Sequence, residues 1–380
     1  MQRKQRPPHS SIRMITLLPL LMTLVMPGGC TRVADQPKAE RLSPPALADE
    51  LPVGVPGTMG LNTGMLKKML DSAETDSHRD LNSILVARKG TLVLEAYFNG
   101  EGRQTRHDIR SAGKSFTSTL VGLALYQGAL NDLDQPVVGY FPEYKDATAA
   151  DPRKRQVTIR HLLEMRSGFH ADDDDPDSPG YENKMLRSHD WIRYALNVPM
   201  SEAPGKVWRY AGMNTMLLGD IVQRATGIHL PEYLETRLLH PLGIYDYDWK
   251  KSPKGRASGQ GFLSLRARDM LKFGILFLQK GKWKDRQLVP SEWVHDATRK
   301  HTQLGYRLYS GYGYQWWTAR ENNGSHPIDF YFASGNGGQK IYVIPDADLV
   351  VVITSSAYNQ KRGHVRSRRI LREILLSIDG

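Results

Sequence analysis

From Thr58 onward the apolar and polar positions follow two distinct periods. Met65 to Leu70 spaces its apolar residues at helical intervals, as one face of an amphipathic helix does. Ser83–Arg88 and Thr91–Phe98 are apolar, β-rich runs that meet at Lys89-Gly90, a two-residue hairpin signal. Ser111–Gln127 (SAGKSFTSTLVGLALYQ) has few charges and is apolar on most faces, which predicts a buried helix. The stretch from about 130 to 280 predicts mainly helix, with loops at Asp172–Gly180 and Lys250–Gly261. Strand character returns at Tyr312–Trp317, Ile341–Ile344 and Leu349–Thr354. Val365–Ile378 sets Ile370, Ile374 and Ile378 four apart with basic residues opposite, a closing amphipathic helix. Strands at both ends around a helical middle predict an α/β chain. Its antiparallel sheet is assembled from both chain ends and flanked by terminal helices, and a mainly helical region is inserted.

The N-terminal pattern is of another kind. Met1–Arg13 is polar and basic, Met14–Met26 (MITLLPLLMTLVM) is a compact apolar run, and Pro27, Gly28, Gly29 and Cys30 follow. A basic flank, a short apolar core and small residues form a secretory signal, predicted over 1–29. Residues 31–57 are rich in Pro and charge without sustained periodicity, the composition of a flexible tether. A domain over 58–380 would then carry the function.

Composition narrows the classes. Forty per cent of the 380 residues are hydrophobic and 24% charged, as in ordinary globular proteins. One cysteine excludes a disulfide framework and multi-cysteine metal centres. The formal charge is +11, but four of the 51 basic residues and none of the 40 acids lie in residues 1–29. The remaining mild excess favours anionic surfaces without demanding nucleic acid.

Several active-site signatures fail. Gly113-Lys114-Ser115 imitates the end of a phosphate-binding loop, but position 108 is Asp where that loop needs Gly. No His-Glu-x-x-His and no Gly-x-Ser-x-Gly is present. What remains is Ser111-Ala112-Gly113-Lys114 at the start of the buried helix. Residues three apart share a helical face, so hydroxyl and amine can converge. A serine N–H at a helix start is free to donate to a developing oxyanion. The helix N-terminus and apolar surroundings would disfavour a charged lysine, moving it towards a usable base. Alone, the spacing arises by chance.

Two further segments change that. Tyr210, in Pro204–Asn214 (PGKVWRYAGMN), stands before a buried helix and could exchange protons if nearby cations lower its pKa. Ala333-Ser334-Gly335-Asn336-Gly337-Gly338-Gln339 precedes a strong strand, and glycines at a strand edge permit close approach by a ligand. Asp172, Asp173, Asp174, Asp175 and Asp177 form an acidic loop, read as solvated or as favouring amine-bearing substrates. Gln260, in Gly259-Gln260-Gly261, is a candidate substrate contact. Trp316 and Trp317 could line a pocket, and a core role for at least one is expected.

Taken in order, these segments resemble the serine β-lactamase and penicillin-binding-protein superfamily, in its class C-like branch with family VIII-type esterases and 6-aminohexanoate-dimer hydrolases. The resemblance covers Leu81 to Ser355. It includes Thr158–Gly168 (TIRHLLEMRSG), His240-Pro241-Leu242-Gly243, Gly313-Tyr314-Gln315-Trp316-Trp317 and Ile344-Pro345. It implies a β-lactamase/DD-peptidase-like fold and an acyl-enzyme on Ser111, with Lys114 and Tyr210 as proton-transfer groups and the base between them open. No cofactor or metal is implied. The Lys-Thr-Gly strand motif of the family aligns with Ala333-Ser334-Gly335, which would pair the N–H of Asn336 with that of Ser111 as an oxyanion hole; Asn336-Gly337-Gly338 is the alternative register. Ala333 and Gly212 replace side chains that hold a substrate carboxylate and an acyl amide. The resemblance therefore implies a small-molecule ester, amide or peptide substrate, with ester or amide cleavage favoured over β-lactam turnover. A cell-wall D,D-peptidase and an idle wall-binding lipoprotein are the rivals. Cys30 directly after the apolar core resembles a bacterial lipoprotein signal, implying an exported, periplasmic protein held to a membrane by lipid on that cysteine.

Overall fold

A computed structural model describes residues 38–49, 51–306, 309–322, 324 and 326–378. The signal over 1–29, Cys30 and the first part of the expected tether lie outside them.

Eight strands form one antiparallel sheet: β1 (Leu81–Arg88), β2 (Thr91–Tyr97), β3 (Thr302–Tyr306), β4 (Tyr309–Tyr312), β5 (Trp317–Asn322), β6 (Pro327–Gly335), β7 (Gln339–Ile344) and β8 (Leu349–Ser355). The order is β2-β1-β8-β7-β6-β5-β4-β3, so the two chain ends meet where β1 pairs with β8. The expected hairpin is present: Lys89 (φ 51°) and Gly90 (φ 75°) make the reversal that matches strand twist in two-residue loops. The expected strand over Tyr312–Trp317 is instead a tight connection between β4 and β5, with Gln315 at φ 64°. Tyr312 and Trp317 at its ends pair in the ladder, while Tyr314 and Trp316 between them serve packing.

Alternation along the strands sorts two cores. Ile84, Val86, Val351 and Ile353 face one side with Leu66, Leu70, Ile370 and Ile374 of the terminal helices α1 (Thr63–Glu74) and α5 (Lys361–Leu376). Leu85, Val350, Val352 and Ile341 face the other, against α2 (Gly113–Tyr126), α3 (Gly212–Thr226) and α4 (Ala267–Leu278). Helix α2 is the seam, its Phe116 stacked on Phe273 of α4 at 3.7 Å. Its hydroxyls act as hooks: Ser115 donates to Gln315 O (2.8 Å), Ser118 to Tyr314 O (2.7 Å) and Thr117 to Gly259 O (2.6 Å). A buried helix can carry so many polar side chains only because each has a partner.

The tether expected over 30–57 is corrected for its described part. Leu51 is buried, Arg268 Nη1 donates to Asp49 (2.9 Å), Arg268 Nη2 donates to Pro45 O (3.1 Å), and Arg103 binds Glu40 (2.8 Å). Apolar and charged anchors were present, but too sparsely for any period to register.

Arg366, one of the basic residues of the closing helix, is buried and binds Asp76 (2.7 Å) and Asp80, tying α5 to the segment before β1. Burial opposes ionisation of Asp76, but the Arg366 and His78 hydrogen bonds outweigh it and hold the carboxyl at about 2. Arg366→Met is expected to cost about 3 kcal/mol at neutral pH, since it strands partly buried carboxylates. A depressed carboxyl pKa stabilises the fold above its unfolded value and ceases to do so as pH falls through about 2. The gap between wild type and variant in denaturant melts should therefore narrow between pH 4 and pH 2.

Candidate active site

Ser111 lies on a short 3-10 turn, Arg110–Ala112, that runs into α2. Arg110, just before it, sits at φ 51°, an uncommon conformation for a side chain of that size. The turn is held from every side. Arg110 N–H donates to Asp108 Oδ1 (2.9 Å), and its guanidinium lies over Phe262 (5.0 Å) and Tyr358 (4.5 Å). A Cβ on Gly335, at the end of β6, would stand 2.1 Å from Ile109 O, and one on Gly261 would stand 2.6 Å from Arg110 O. Two glycines from distant segments thus let the backbone close on both sides of the serine.

Lys114 Nζ donates to Ser111 Oγ (3.0 Å) and to the main-chain oxygen of Gln260 (2.9 Å). Its side chain is 2% exposed and its ammonium lies 5.0 Å from the Tyr210 ring centre. The Tyr210 hydroxyl reaches both Ser111 and Lys114. The expected depression of the lysine pKa is corrected. Burial disfavours the ammonium and is the largest single influence, yet Tyr210, Asp173 and Glu182 together outweigh it and raise the pKa. Tyr210 is raised too: burial dominates, while Lys114 and the Ser111 hydrogen bond pull it down. An aromatic wall of Trp208, Tyr312 and Trp317 surrounds Tyr210, with Trp317 at 5.4 Å. Trp316, fully buried against Phe273 and Phe277, belongs to the core.

The acidic loop divides by role. Asp172 and Asp175 accept from the N–H groups of Asp174 and Asp177 (2.9 Å each), which are local turn contacts. Asp173 turns inward: its two oxygens accept from Gly212 N–H (2.6 Å) and Glu182 N–H (3.2 Å), and its own N–H donates to Tyr210 O (2.8 Å). Burial and then the charge of Glu182 raise its carboxyl well above the usual range, against the pull of Lys114. Glu182, with Ser111, Gln260 and Asn336, lines a cavity of about 20 Å³. Glu182 was missed in the sequence because it opens a short helix with no motif around it. Asp173 was seen only as one of five acids.

The strand segment splits as alternation requires. Gly335 meets the serine turn. Asn336 lines the cavity that Ser111 also lines, and its carboxamide is engaged with Asn359, donating to Oδ1 and accepting from its N–H (2.7 Å each). Ser334 points to the other sheet face, where it accepts a hydrogen bond from Lys340 of β7. Ala333 is fully buried. Among the described residues no group of three or more His, Cys, Asp or Glu is placed to hold a metal ion.

Known proteins fit this picture. The Caulobacter crescentus penicillin-binding-protein homologue has the same fold, with a TM-score of 0.65 at 17% identity over 83% of this chain and 97% of that one. A D-stereospecific amidohydrolase from Streptomyces does so with a TM-score of 0.62 at 18% identity, over 80% and 97%. In sequence, the 6-aminohexanoate-dimer hydrolase of Paenarthrobacter ureafaciens is 26% identical over 313 residues, 77% of this chain and 75% of that protein. Esterase EstB of Burkholderia gladioli is 29% identical over 212 residues, about half of each. The Beta-lactamase family model matches residues 70–375, so the chain belongs to the beta-lactamase family and is a serine hydrolase of the β-lactamase and penicillin-binding-protein superfamily.

Proposed function

We propose that the protein hydrolyses a small ester or amide through an acyl-enzyme on Ser111. The observation that carries this reading is the Ser111–Lys114–Tyr210 constellation, in which one half-buried hydroxyl contacts both an ammonium and a phenol. Ser111 Oγ attacks the substrate carbonyl in the form of the enzyme in which Tyr210 is ionised, and its proton passes to the phenolate oxygen. Lys114, kept cationic, stabilises charge there and holds the serine in register. The N–H groups of Ser111 and Asn336, two residues that line one cavity, receive the oxyanion in this reading as the tetrahedral intermediate forms. Tyr210 then protonates the leaving group. Water attacks the acyl-enzyme by the same route, its proton going to Tyr210 and back to Ser111 as the acid departs.

Ester or amide cleavage is preferred over β-lactam turnover because buried Ala333 offers no cation to a substrate carboxylate. Absence of a charge-assisted contact typically costs about 1.5–3 kcal/mol, or tenfold to a hundredfold in affinity. The names of two relatives, a 6-aminohexanoate-dimer hydrolase and an esterase, agree with an amide or ester substrate. The Glu182 carboxylate at the cavity favours substrates that carry an amine. Export on the signal over 1–29, with lipid on Cys30, would place this activity at a membrane outside the cytoplasm.

Intact-mass analysis after fluorophosphonate treatment tests the reading. A single adduct is expected on the wild type and none on Ser111→Ala, together with turnover of phenyl esters well above that of a cephalosporin. Folded wild type without an adduct would remove the acyl-enzyme. Rapid cephalosporin hydrolysis would overturn the substrate class.

A further inference from the structure

A basic trough lies on the α1–α5 side of the sheet. Lys38, Arg41 and Arg79 line a cavity of about 570 Å³ at the C-terminal end of α1. Arg362, Arg366 and Arg369 of α5 line a second, of about 390 Å³. The two share Thr75, Asp76 and Ser77, so they adjoin. The acids in and behind the trough are engaged within the fold. Glu74 holds Lys38 at 2.7 Å, Asp76 accepts from Arg366 (2.7 Å) and from His78 N–H (3.1 Å), and Asp80 accepts from Arg362 (2.8 Å). Three guanidinium groups are left with no carboxylate in hydrogen-bond reach among the described residues. Arg41 comes no closer than 3.6 Å to Glu74, Arg369 no closer than 3.7 Å to Glu373, and Arg79 reaches only the side-chain oxygen of Asn99 (3.5 Å). Arg41 is the telling one. It is 7% exposed, it lies over Phe98 (5.1 Å), and its Nε has no hydrogen-bond partner among the described residues. A buried cation so poorly paired is costly, and an anion in the trough offsets that cost.

Which anion follows from where the trough lies along the chain. The expected tether is packed on the domain from Lys38 onward, so only residues 31–37 separate Cys30 from the trough. Fully extended, that stretch spans at most about 28 Å. With lipid on Cys30, the trough stays within that distance of a headgroup layer. The outer side of α5 suits such a neighbour. Lys361, Val365, Arg369 and Arg372 are exposed at helical spacing, and Val365 is 59% exposed. Cations flanking an exposed apolar side chain are the surface of a helix that lies on a membrane.

We propose that the trough is a docking surface for an anionic lipid bilayer, with headgroup phosphodiesters received by Arg41 and Arg79 on one side and Arg369 on the other. The domain then lies with α1 and α5 against the membrane rather than swinging on its anchor. A membrane as the occupant rests on export with lipid on Cys30. The affinity of the trough for anionic lipid does not.

The chain from Val33 onward is a compact unit, so produced without lipid it separates the surface from the anchor. Flotation with mixed phosphatidylglycerol–phosphatidylcholine vesicles at low ionic strength reads its affinity. Wild type should bind these and leave pure phosphatidylcholine alone. Arg41→Gln/Arg79→Gln/Arg369→Gln should weaken binding roughly a hundredfold. Lys282→Gln/Lys284→Gln/Arg286→Gln removes as much charge beyond α4, on the other side of the sheet, and should change it by less than about threefold. Arg79→Gln/Arg369→Gln, both exposed, should cost roughly thirtyfold and serves where Arg41→Gln loosens the segment around it. Inorganic phosphate should displace the protein no better than chloride at equal ionic strength. Three results overturn the docking surface: no binding to anionic vesicles, equal losses in the two triple variants, or displacement specific to phosphate. The second would show diffuse charge, and the third a site for free phosphate. Metabolic labelling of the full chain with a fatty-acid analogue, beside Cys30→Ala, separates the two readings. Unlabelled wild type defeats the anchor alone, whereas labelled wild type whose domain ignores anionic vesicles defeats the trough.

Discussion

Lys114→Gln is expected to lower the rate of ester acylation at neutral pH about a thousandfold or more, while the far-UV spectrum stays that of the wild type. The lysine contributes in two ways that the substitution removes together. Its ammonium donates to Ser111 Oγ at 3.0 Å, which fixes the nucleophile, and its charge lies against Tyr210, whose ionised form it favours. Burial drives the Tyr210 pKa up, and Lys114 is the strongest force pulling it down. Acylation needs the Tyr210 oxygen free to accept a proton, so the rate should climb with pH on its alkaline limb. Without Lys114 only the upward influences on Tyr210 gain, and that limb should move to still higher pH. A lysine acting as the base predicts something else: the limb would disappear in Lys114→Gln, because its titrating group would be gone. Single-turnover acylation measured across pH distinguishes the two. The raised pKa of Lys114 favours the displaced limb.

Which parts of this site were legible in the sequence follows from how each residue acts. Ser111 and Lys114 share one helical turn, so their spacing alone places them together, and Tyr210 entered through the residues around it. The β1–β2 hairpin and the core strands β7 and β8 were equally readable, because Lys89-Gly90 and the runs of β-branched residues signal them locally. The electrostatics were not legible. Whether a buried lysine loses or keeps its proton depends on groups brought up from elsewhere: Tyr210 first, then Asp173 and Glu182, which arrive from about 60–70 residues away. Read from its own helix, Lys114 had no carboxylate near it, and so the wrong direction was expected. The aromatic connection at 313–316 misled for a related reason. Tyr314 and Trp316 have strand-like composition, but both are buried in packing against the helical side of the sheet, and a periodicity argument cannot tell packing from pairing. Residues 38–57 failed in the opposite sense, since their few anchors on Arg268 and Arg103 carry no local pattern at all.

Gly335→Ala is expected to be nearly as damaging as loss of the lysine, although no reacting atom changes. The added methyl would stand 2.1 Å from Ile109 O and 3.1 Å from the Arg110 side chain. The first contact is backbone, which no rotamer change can relieve. Two responses are open to the chain. The serine turn could give way, but Arg110 is already held at positive φ by Asp108, Phe262 and Tyr358, and Gly261 closes on it from the far side. The strand end could move instead, and with it Asn336, which lines the cavity beside Ser111 and is the proposed oxyanion donor. Overpacking of this kind costs about 1–3 kcal/mol of stability, which a domain of this size survives. An oxyanion donor displaced by about an ångström costs on the order of a hundredfold in rate. The variant should therefore melt a few degrees lower and still react with fluorophosphonate at Ser111, only slowly, while kcat for phenyl esters falls by about two to three orders of magnitude. Normal turnover in a folded Gly335→Ala protein would show that the end of β6 has no part in the chemistry, and would favour the alternative register with Asn336-Gly337-Gly338 as the strand motif.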